Sequence, residues 1–316
     1  MGGWCPDHAQ LWQSVPAALR AHARVDRVEL KAIVDSDLET AMAVLGSEVE
    51  QPRLRCIHYL DTPDLSLYRH GVIVRARVNE RVGKGDVVVK LRRPMLHIAR
   101  AATNLVVELD ALPAETAWAA SLKRRRTPEA IARALGRRRP ARALLTKNQR
   151  ALVTRLAGDE IDVDDLVAFG PVDVVRLTSG RAEERIGVEA WTLPDGSRMV
   201  ELFAKCCPTR SDAIAALVRD LISDHRIALA VEQVTKTQMS LERLARARRR
   251  PLRQALPRRQ APATAGGAPG RRHAVERAAR PCDHELAVRH DVVEVLAERR
   301  HDLREAPGEW PLLTTP

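Results

Sequence analysis

The sequence predicts an α+β protein: an antiparallel β-barrel of about eight strands with helices packed outside it, followed by a disordered C-terminal tail. Three observations lead there. Charged residues recur on alternate positions of successive short segments, and Val, Leu and Ala fill the positions between, so each segment has one ionic and one apolar face. Capped, helically periodic stretches separate several of these segments. Beyond Arg250 the composition turns to Pro, Ala, Gly and Arg, including Ala265-Gly-Gly-Ala-Pro-Gly270, which cannot supply a core. The chain therefore divides into an N-terminal extension at 1–26, a folded domain at 27–250 and a low-complexity tail at 251–316.

The clearest ionic face belongs to Gly71-Val-Ile-Val-Arg-Ala-Arg-Val78 and Val87-Val-Val-Lys-Leu-Arg92, joined across Gly83-Lys-Gly85 as a hairpin. Arg75, Arg77, Lys90 and Arg92 share one side of this ribbon, and Val72, Val74, Ala76 and Val78 the other. Like charges at this spacing repel unless an anion sits among them or water screens them. A polar row on a sheet is most often a solvated face, and that reading competes at this point.

The remaining elements follow in chain order. Ala17–Ala23 reads as a short helix in an extension that is otherwise mobile or caps a barrel end through Trp4 and Trp12. Arg27–Val34 is a strand with Glu29 and Lys31 on its ionic face. Ser36-Asp-Leu-Glu39 has the form of a capping box, opening a helix that ends at Gly46. Arg55–Leu60 is a strand, and Asp61-Thr-Pro-Asp64 a helix start with Thr62 as cap and Pro63 in the first turn. Asn104–Asp110 is a strand with Val106, Glu108 and Asp110 on one face. Thr127-Pro-Glu opens a helix closed by Gly136, with the flanking Arg and Lys runs as solvated helix ends and loops. Leu144–Leu156 reads as a strand with Lys147 and Arg150, and Ile161–Asp165 places Asp162 and Asp164 together. Val172–Leu177, Arg185–Trp191 and Met199–Lys205 are strands; the second carries Glu189, and the third carries Glu201, Phe203 and Lys205 in register. Pro194-Asp-Gly196 is the turn between the last two. Ser211 caps a helix through Asp224, Gln233–Lys236 is the last strand, and a helix runs from Gln238 into Arg250.

Composition bounds the partners. A net charge of +11 and a pI of about 10.1 point to an anionic partner. With 3% aromatic residues the chain lacks base-stacking platforms, so nucleic acid ranks low. Five cysteines, Cys5, Cys56, Cys206, Cys207 and Cys282, show no metal-ligand spacing and fit a reducing compartment. No apolar run has membrane-span length, and the opening residues lack the pattern of a signal peptide, so a cytoplasmic location without membrane attachment is expected. The ten histidines form no HxH or HExxH pair and are expected at the surface.

Closing the strands into a barrel turns their ionic faces inward. Inside, cations and carboxylates must neutralise each other or a ligand must do so, because an unpaired buried charge is costly. Arg forks and Lys point charges suit phosphate oxygens. Clustered carboxylates suit Mg²⁺ or Mn²⁺. The combination describes a site for linked phosphates bridged by divalent metal.

Several short motifs sharpen this reading. Arg27-Val-Glu29-Leu-Lys31, Tyr59-Leu-Asp61-Thr-Pro63 and Val74-Arg75-Ala-Arg77 resemble the CYTH, or triphosphate tunnel metalloenzyme, family, whose first strand reads Glu-x-Glu-x-Lys. Gly85–Arg92, Val107-Glu-Leu-Asp110, Ser121-Leu-Lys123, Leu145–Arg150, Glu189–Arg198 and Thr235-Lys-Thr237 look closest to an actinobacterial branch of that family. The resemblance spans about residues 27–243. It implies a triphosphate tunnel with Glu29 and Lys31 at the catalytic centre. Phosphate would be bound by Lys31, Arg75, Arg77, Lys90, Arg92, Lys205 and Lys236, and the metal by Glu29, Glu108, Asp164 and Glu201. Two positions depart from the pattern: Arg27 stands at the first Glu, and Phe203 where a second acid is common.

The function implied is metal-dependent hydrolysis of inorganic or nucleoside triphosphate, with Mg²⁺ or Mn²⁺ as cofactor. Two alternatives stay open. One is an adenylate cyclase forming cyclic AMP from ATP at the same site, and the other a non-catalytic polyphosphate-binding protein. For Glu108, Asp164, Glu189 and Glu201, plain ion pairing inside the lumen competes with metal binding, and Trp191 reads as packing.

Overall fold

The computed structural model describes residues 8–21, 25–46, 49–79, 82–92, 105–137, 139–158, 160–179 and 185–249; Trp4, Cys5, Asn104, Cys282 and the tail 251–316 lie outside them. Nine strands alternate along the chain: β1 (Arg27–Val34), β2 (Arg53–Asp61), β3 (Val72–Asn79), β4 (Lys84–Arg92), β5 (Val106–Ala111), β6 (Thr116–Arg126), β7 (Val167–Ser179), β8 (Arg185–Thr192) and β9 (Arg198–Cys206). They close into a barrel in the order β1-β5-β6-β4-β3-β2-β7-β8-β9. Every described pairing is antiparallel except β1 with β5, which both start at the same rim.

The ninth strand is β6. Its Thr-Ala-Trp-Ala-Ala-Ser-Leu opening has no branched alternation, and its Lys123–Arg126 end looks like a solvated loop. Pairing with β4 on one side and β5 on the other makes it a strand in spite of its own weak propensity.

Eight helices are described: α1 (Val15–Arg20), α2 (Leu38–Met42), α3 (Ser66–Arg69), α4 (Pro128–Leu135), α5 (Pro140–Leu144), α6 (Lys147–Ala157), α7 (Ser211–Asp224) and α8 (Lys236–Arg249). Thr127 caps α4 as expected, its side chain accepting from Ala130 N. Other expected starts move. Asp37, not Ser36, caps α2, accepting from Thr40 N at 2.8 Å, while the Ser36 hydroxyl accepts from Ala228 N. After Asp61-Thr-Pro-Asp64 the helix begins only at Ser66. There the Asp61 carboxylate accepts from Leu67 N and Tyr68 N, and the Thr62 hydroxyl from Ser66 N. Ser211 does not cap α7; it lies in the first turn and donates to Pro208 O.

Two expected strands are not strands. Leu144–Leu156 is mostly α6, because Thr146 and Gln149 form a reciprocal capping box and bury Gln149, Leu152 and Val153 at helical spacing. Gln233–Lys236 has no ladder. Gln233 instead pairs with β1 through its side-chain amide, which accepts from Ile33 N and donates to Ile33 O, both at 2.8 Å. Ile161–Asp165 is a turn of 3₁₀ helix over Val163–Asp165.

Two apolar regions hold the barrel. Outside, Val72, Val74 and Ala76 of β3 and Val87 and Val89 of β4 lie under Ile131, Leu144, Leu152 and Val153 of α4–α6. Inside, one end is filled by Ile33, Tyr59, Ile73, Phe169, Trp191 and Met199, against which Leu241 and Leu244 of α8 pack. The lumen is thus ionic over only part of its depth. Each such side chain fully buried stabilises by roughly 1.5–3 kcal/mol.

The N-terminal segment is docked. Trp12, 2% exposed, donates through Nε1 to Lys31 O at 3.3 Å and Ala111 O at 3.1 Å. It spans β1 and β5 where their pairing ends at Leu30 and Ala111.

Gln149 ties the outer layer to the barrel: Nε2 donates to Val87 O and Leu122 O, both at 3.1 Å. Gln149→Ala removes those donors and half of the capping box, so equilibrium denaturation should show a loss of about 2 kcal/mol, with an unchanged far-UV spectrum.

Candidate functional site

At the end away from α8 the barrel opens. A cavity of ≈ 720 Å³ runs down to Ile57 and Trp191, walled by thirteen Lys and Arg side chains and five carboxylates. A wider hollow of ≈ 990 Å³ at the β3–β4 hairpin shares Arg53, Arg55, Arg77 and Lys123 with it. The outer hollow is the larger of the two, but the buried carboxylates lie in the inner one.

Strand register creates two ionic walls. On the first, Glu29 of β1 lies opposite Lys205 of β9 and beside Asp110 of β5. Lys31 Nζ bridges Glu29 at 2.9 Å and Asp110 at 2.8 Å; Lys205 reaches Glu29 at 3.0 Å. Lys90 meets Asp110 at 2.7 Å and Glu108 at 3.8 Å, and Arg27, half exposed at the rim, lies 3.7 Å from Glu108.

On the second wall Glu189 of β8 and Glu201 of β9 stand directly opposite in register. Lys236 Nζ lies between them, 2.6 Å from Glu189 and 2.5 Å from Glu201. Glu189 also accepts from Arg176, from Arg55 at 3.4 Å and from Trp191 Nε1 at 3.1 Å. Phe203, beside Lys31 in the β1–β9 ladder, carries the Arg176 guanidinium 4.0 Å above its ring. Gly187 makes room for that ring; a Cβ there would collide with it and lie 2.7 Å from Leu177 O.

These surroundings reshape the titrations. For Glu189 burial is the largest influence and pushes upward, but Lys236, Arg176 and Arg55 together hold the carboxyl well below its ordinary value. For Glu29 burial is likewise outweighed, by Lys205 and Lys31. Glu201 goes the other way: burial and the carboxylates of Glu189 and Glu29 raise it despite Lys236 and Lys31. Arg55 is drawn down to about 9, by burial first and then by Arg176, Arg77 and Arg75, against the pull of Glu189. Lys90 is lowered, by burial first and with Lys31 adding to it.

Of the residues expected at the site, Glu29, Lys31, Arg75, Arg77, Lys90, Arg92, Glu108, Glu201, Lys205 and Lys236 all line the cavity. Asp164 does not. It sits in the 3₁₀ turn on the outer layer and accepts from Arg142 at 3.0 Å and Arg139 at 3.4 Å, so it cannot share a metal with Glu29. The sequence alternation of Asp162 and Asp164 is a turn in which Asp162 accepts from Asp164 N. The sequence sets Asp110 on the face of Glu108, and the structure adds it to the site. Arg55 and Arg176 join as well; each alternates with apolar residues inside its strand, a signal too weak by itself to mark a site residue.

The donors for a divalent ion are present on the first wall: Glu29, Glu108 and Asp110 bring one oxygen each to within 4.8 Å of one another. Hard carboxylate oxygens suit Mg²⁺ or Mn²⁺. The three residues therefore fit such an ion, with Lys31 and Lys90 as the cations it would compete with.

No family model matches the chain, and no curated protein is similar to it at a significant level. Solved structures do match. A Hippeastrum protein, named as a candidate adenylyl cyclase and described as having a dominant triphosphatase activity, superposes with a TM-score of 0.51 at 12% identity, over 69% of this chain and 96% of its own. The two chains share a fold. A candidate adenylate cyclase from Bacillus halodurans matches with a TM-score of 0.49 at 13% identity, over 68% of this chain and 97% of its own. Among the described residues no helix is long and apolar enough to cross a membrane.

Because the folded Glu189 carboxyl lies well below the ordinary 4.5, the unfolded chain binds its proton first on acidification. Its stabilisation is complete above about pH 4.5 and declines as pH falls through lower values. Unfolding free energy should therefore drop on acidification from pH 5 to pH 3, and Glu189→Gln should flatten that decline in denaturant titrations.

Proposed function

We propose that the chain is a member of the triphosphate tunnel metalloenzyme family and hydrolyses triphosphate compounds, inorganic triphosphate or a nucleoside triphosphate, with Mg²⁺ or Mn²⁺. The observation that carries this reading is the surplus of cations in the cavity inside the open end of the barrel. Thirteen cations line it with Asp26, Glu29, Glu108, Glu189 and Glu201, and counting Asp110, Asp86 and Glu50, which pair with some of them, still leaves cations in excess; Arg55 is drawn down to about 9 by burial and its arginine neighbours. Arg75 has no ion pair or hydrogen bond among the described residues, and Arg92 bonds only to the Thr235 hydroxyl. Part-buried cations without a carboxylate partner are stabilised by an anion that enters the cavity, so the cavity favours a polyanion. Linked phosphates, dense in charge and rich in acceptor oxygens, match Arg forks at that spacing.

The residues divide the work by position. Arg75, Arg77, Lys90 and Arg92 descend one side of the cavity and hold successive phosphoryl oxygens. Lys31 and Lys205, anchored on Glu29, hold the terminal phosphate against the first wall. Glu29, Glu108 and Asp110 would carry the divalent ion, which when bound neutralises the phosphates and lowers the pKa of a water for in-line attack. The apolar floor of Ile33, Tyr59, Trp191 and Met199 excludes water from below, so the electrostatic interactions above it are strong. Cys56, Cys206 and Cys207 form no disulfide among the described residues, which fits a reducing, cytoplasmic setting.

The cavity's aromatic lining among the described residues is Trp191, placed at the floor and engaged with Glu189, which favours hydrolysis over base-selective cyclisation. The test is phosphate release from tripolyphosphate and ATP with Mg²⁺, Mn²⁺ or EDTA. Metal-dependent release is expected, and Arg75→Ala or Lys31→Ala should lower kcat/KM on the order of 100-fold. Cyclic AMP and pyrophosphate as the products of ATP would replace this reading with a cyclase. Tight, metal-independent polyphosphate binding without turnover would replace it with a binding protein.

A further inference from the structure

The second ionic wall poses a separate question. Two fully buried carboxylates, Glu189 and Glu201, face each other as a direct cross-strand pair, at 2% and 0% exposure. Like charges so placed repel, and something cationic must lie between them. In a cavity that also offers carboxylates to a divalent ion, this pair is the natural place for a second one.

We propose that Lys236 is a built-in cation that holds the place of a second divalent ion between Glu189 and Glu201, so that the cavity accepts such an ion on the Glu29, Glu108 and Asp110 wall alone. The inference rests on the proposed metal site only for that first ion.

The ammonium is delivered by a rigid element. Lys236 is the first residue of α8, whose Leu241 and Leu244 seal the barrel floor. The residue before it is fixed as well: the Thr235 hydroxyl accepts from Arg92 at 2.8 Å and from Gln238 N at 3.3 Å. Gln233 clamps the preceding loop to Ile33 of β1. Lys236 Nζ also lies 5.3 Å from the Trp191 ring centroid, so an aromatic face backs the charge.

Each oxygen of Glu189 is held by two donors, whereas each oxygen of Glu29 and Asp110 on the first wall meets a single ammonium among the described residues. Arg176 and Arg55 donate to Oε1, and Trp191 and Lys236 to Oε2. Glu201 gives Oε1 to Lys236, and its buried Oε2 has no hydrogen-bond partner. With the ammonium in place, one unpartnered oxygen is all this pair offers, short of the one or two available carboxylates that anchor a hydrated divalent ion. With the ammonium gone, Oε1 of Glu201, its free Oε2 and Oε2 of Glu189 would all face the vacated space. Lys236 is therefore a positioning residue: it fixes the carboxylates and the number of metal ions.

Mn²⁺ binding to the full chain without substrate, measured by electron paramagnetic resonance and calorimetry, tests this. The wild type should bind one Mn²⁺, and Glu201→Gln should leave that count unchanged. Lys236→Met, which keeps the side-chain length, should gain a second Mn²⁺ and show a Tm that rises with added Mn²⁺. Loss of one of two wild-type ions in Glu201→Gln would overturn the proposal, as would a folded Lys236→Met protein with no additional ion. If Lys236→Met does not fold, the Glu201→Gln count decides. A wild type that binds no Mn²⁺ while Lys236→Met binds one would reject the first-wall metal site and leave the role of Lys236 standing.

Discussion

An ionised side chain enclosed by a barrel has little water to solvate it, and charge balance in the lumen is the constraint on which the rest of this structure depends. Period-two alternation sends every second residue of nine strands inward, so one register choice places Glu29 beside Lys205 and Asp110, and Glu189 beside Glu201. Register here does more than align hydrogen bonds. A slip by one residue on β1 would move Glu29 and Lys31 outward and bring Val28 and Leu30 into the ionic lumen. Compensation is complete at some points, as at Glu189, and deficient at others, as at Arg75. That unevenness separates groups that hold the barrel together from groups available to a ligand.

The apolar floor makes the upper lumen effective. Ile33, Tyr59, Ile73, Trp191 and Met199 continue the inward faces of the same strands that carry Lys31, Arg75, Glu189 and Glu201, and α8 covers them. Below the ionic layer lies a medium of low polarity, which strengthens each charge interaction above it and raises the cost of leaving one unpaired. At the junction sits Trp191, with its ring among the apolar residues and its indole N–H on Glu189. Trp12 performs a related task on the wall, donating to both β1 and β5 beyond the end of their ladder.

Strands with branched residues between charges, such as Val72–Asn79 and Arg27–Val34, were legible in the sequence because both faces carry a signal. β6 was not, since Ala alternating with Ala carries none, and only its neighbours impose extension. Leu144–Leu156 misleads for the opposite reason: apolar residues that read as a strand are overridden by the Thr146 and Gln149 cap. Gln233–Lys236 reads as a strand through its β-branched Val234 and Thr235, yet it reaches β1 by the Gln233 side chain and not by a ladder. The candidate site was legible where charge alternates within an element. Asp164 failed because alternation inside a 3₁₀ turn does not define a face. Arg55 and Arg176, single cations in apolar strands, acquire their role only when closure of the barrel brings both to Glu189.

Position 203 ties the two walls together. Where the resemblance leads one to expect an acid, a phenyl ring occupies the space above Gly187, and Arg176 lies over it. A carboxylate there would draw Arg176 away from Glu189 and add a third negative charge to a wall that Lys236 already has to neutralise. With the ring present, Arg176 is held flat and directed at Glu189, whose ionised form is thereby secured. The second wall becomes a closed electrostatic unit of Glu189, Glu201, Lys236, Arg176 and Arg55. The first wall is held differently: Lys31 and Lys90 share Asp110, the contacts of Glu108 are long at 3.7 and 3.8 Å, and Arg27 is half exposed. Among the described residues each oxygen of Glu29, Glu108 and Asp110 meets one cation, whereas each oxygen of Glu189 is held by two donors. The carboxylates held by fewer donors lie on β1 and β5, across the barrel order from β3, which carries Arg75 and Arg77.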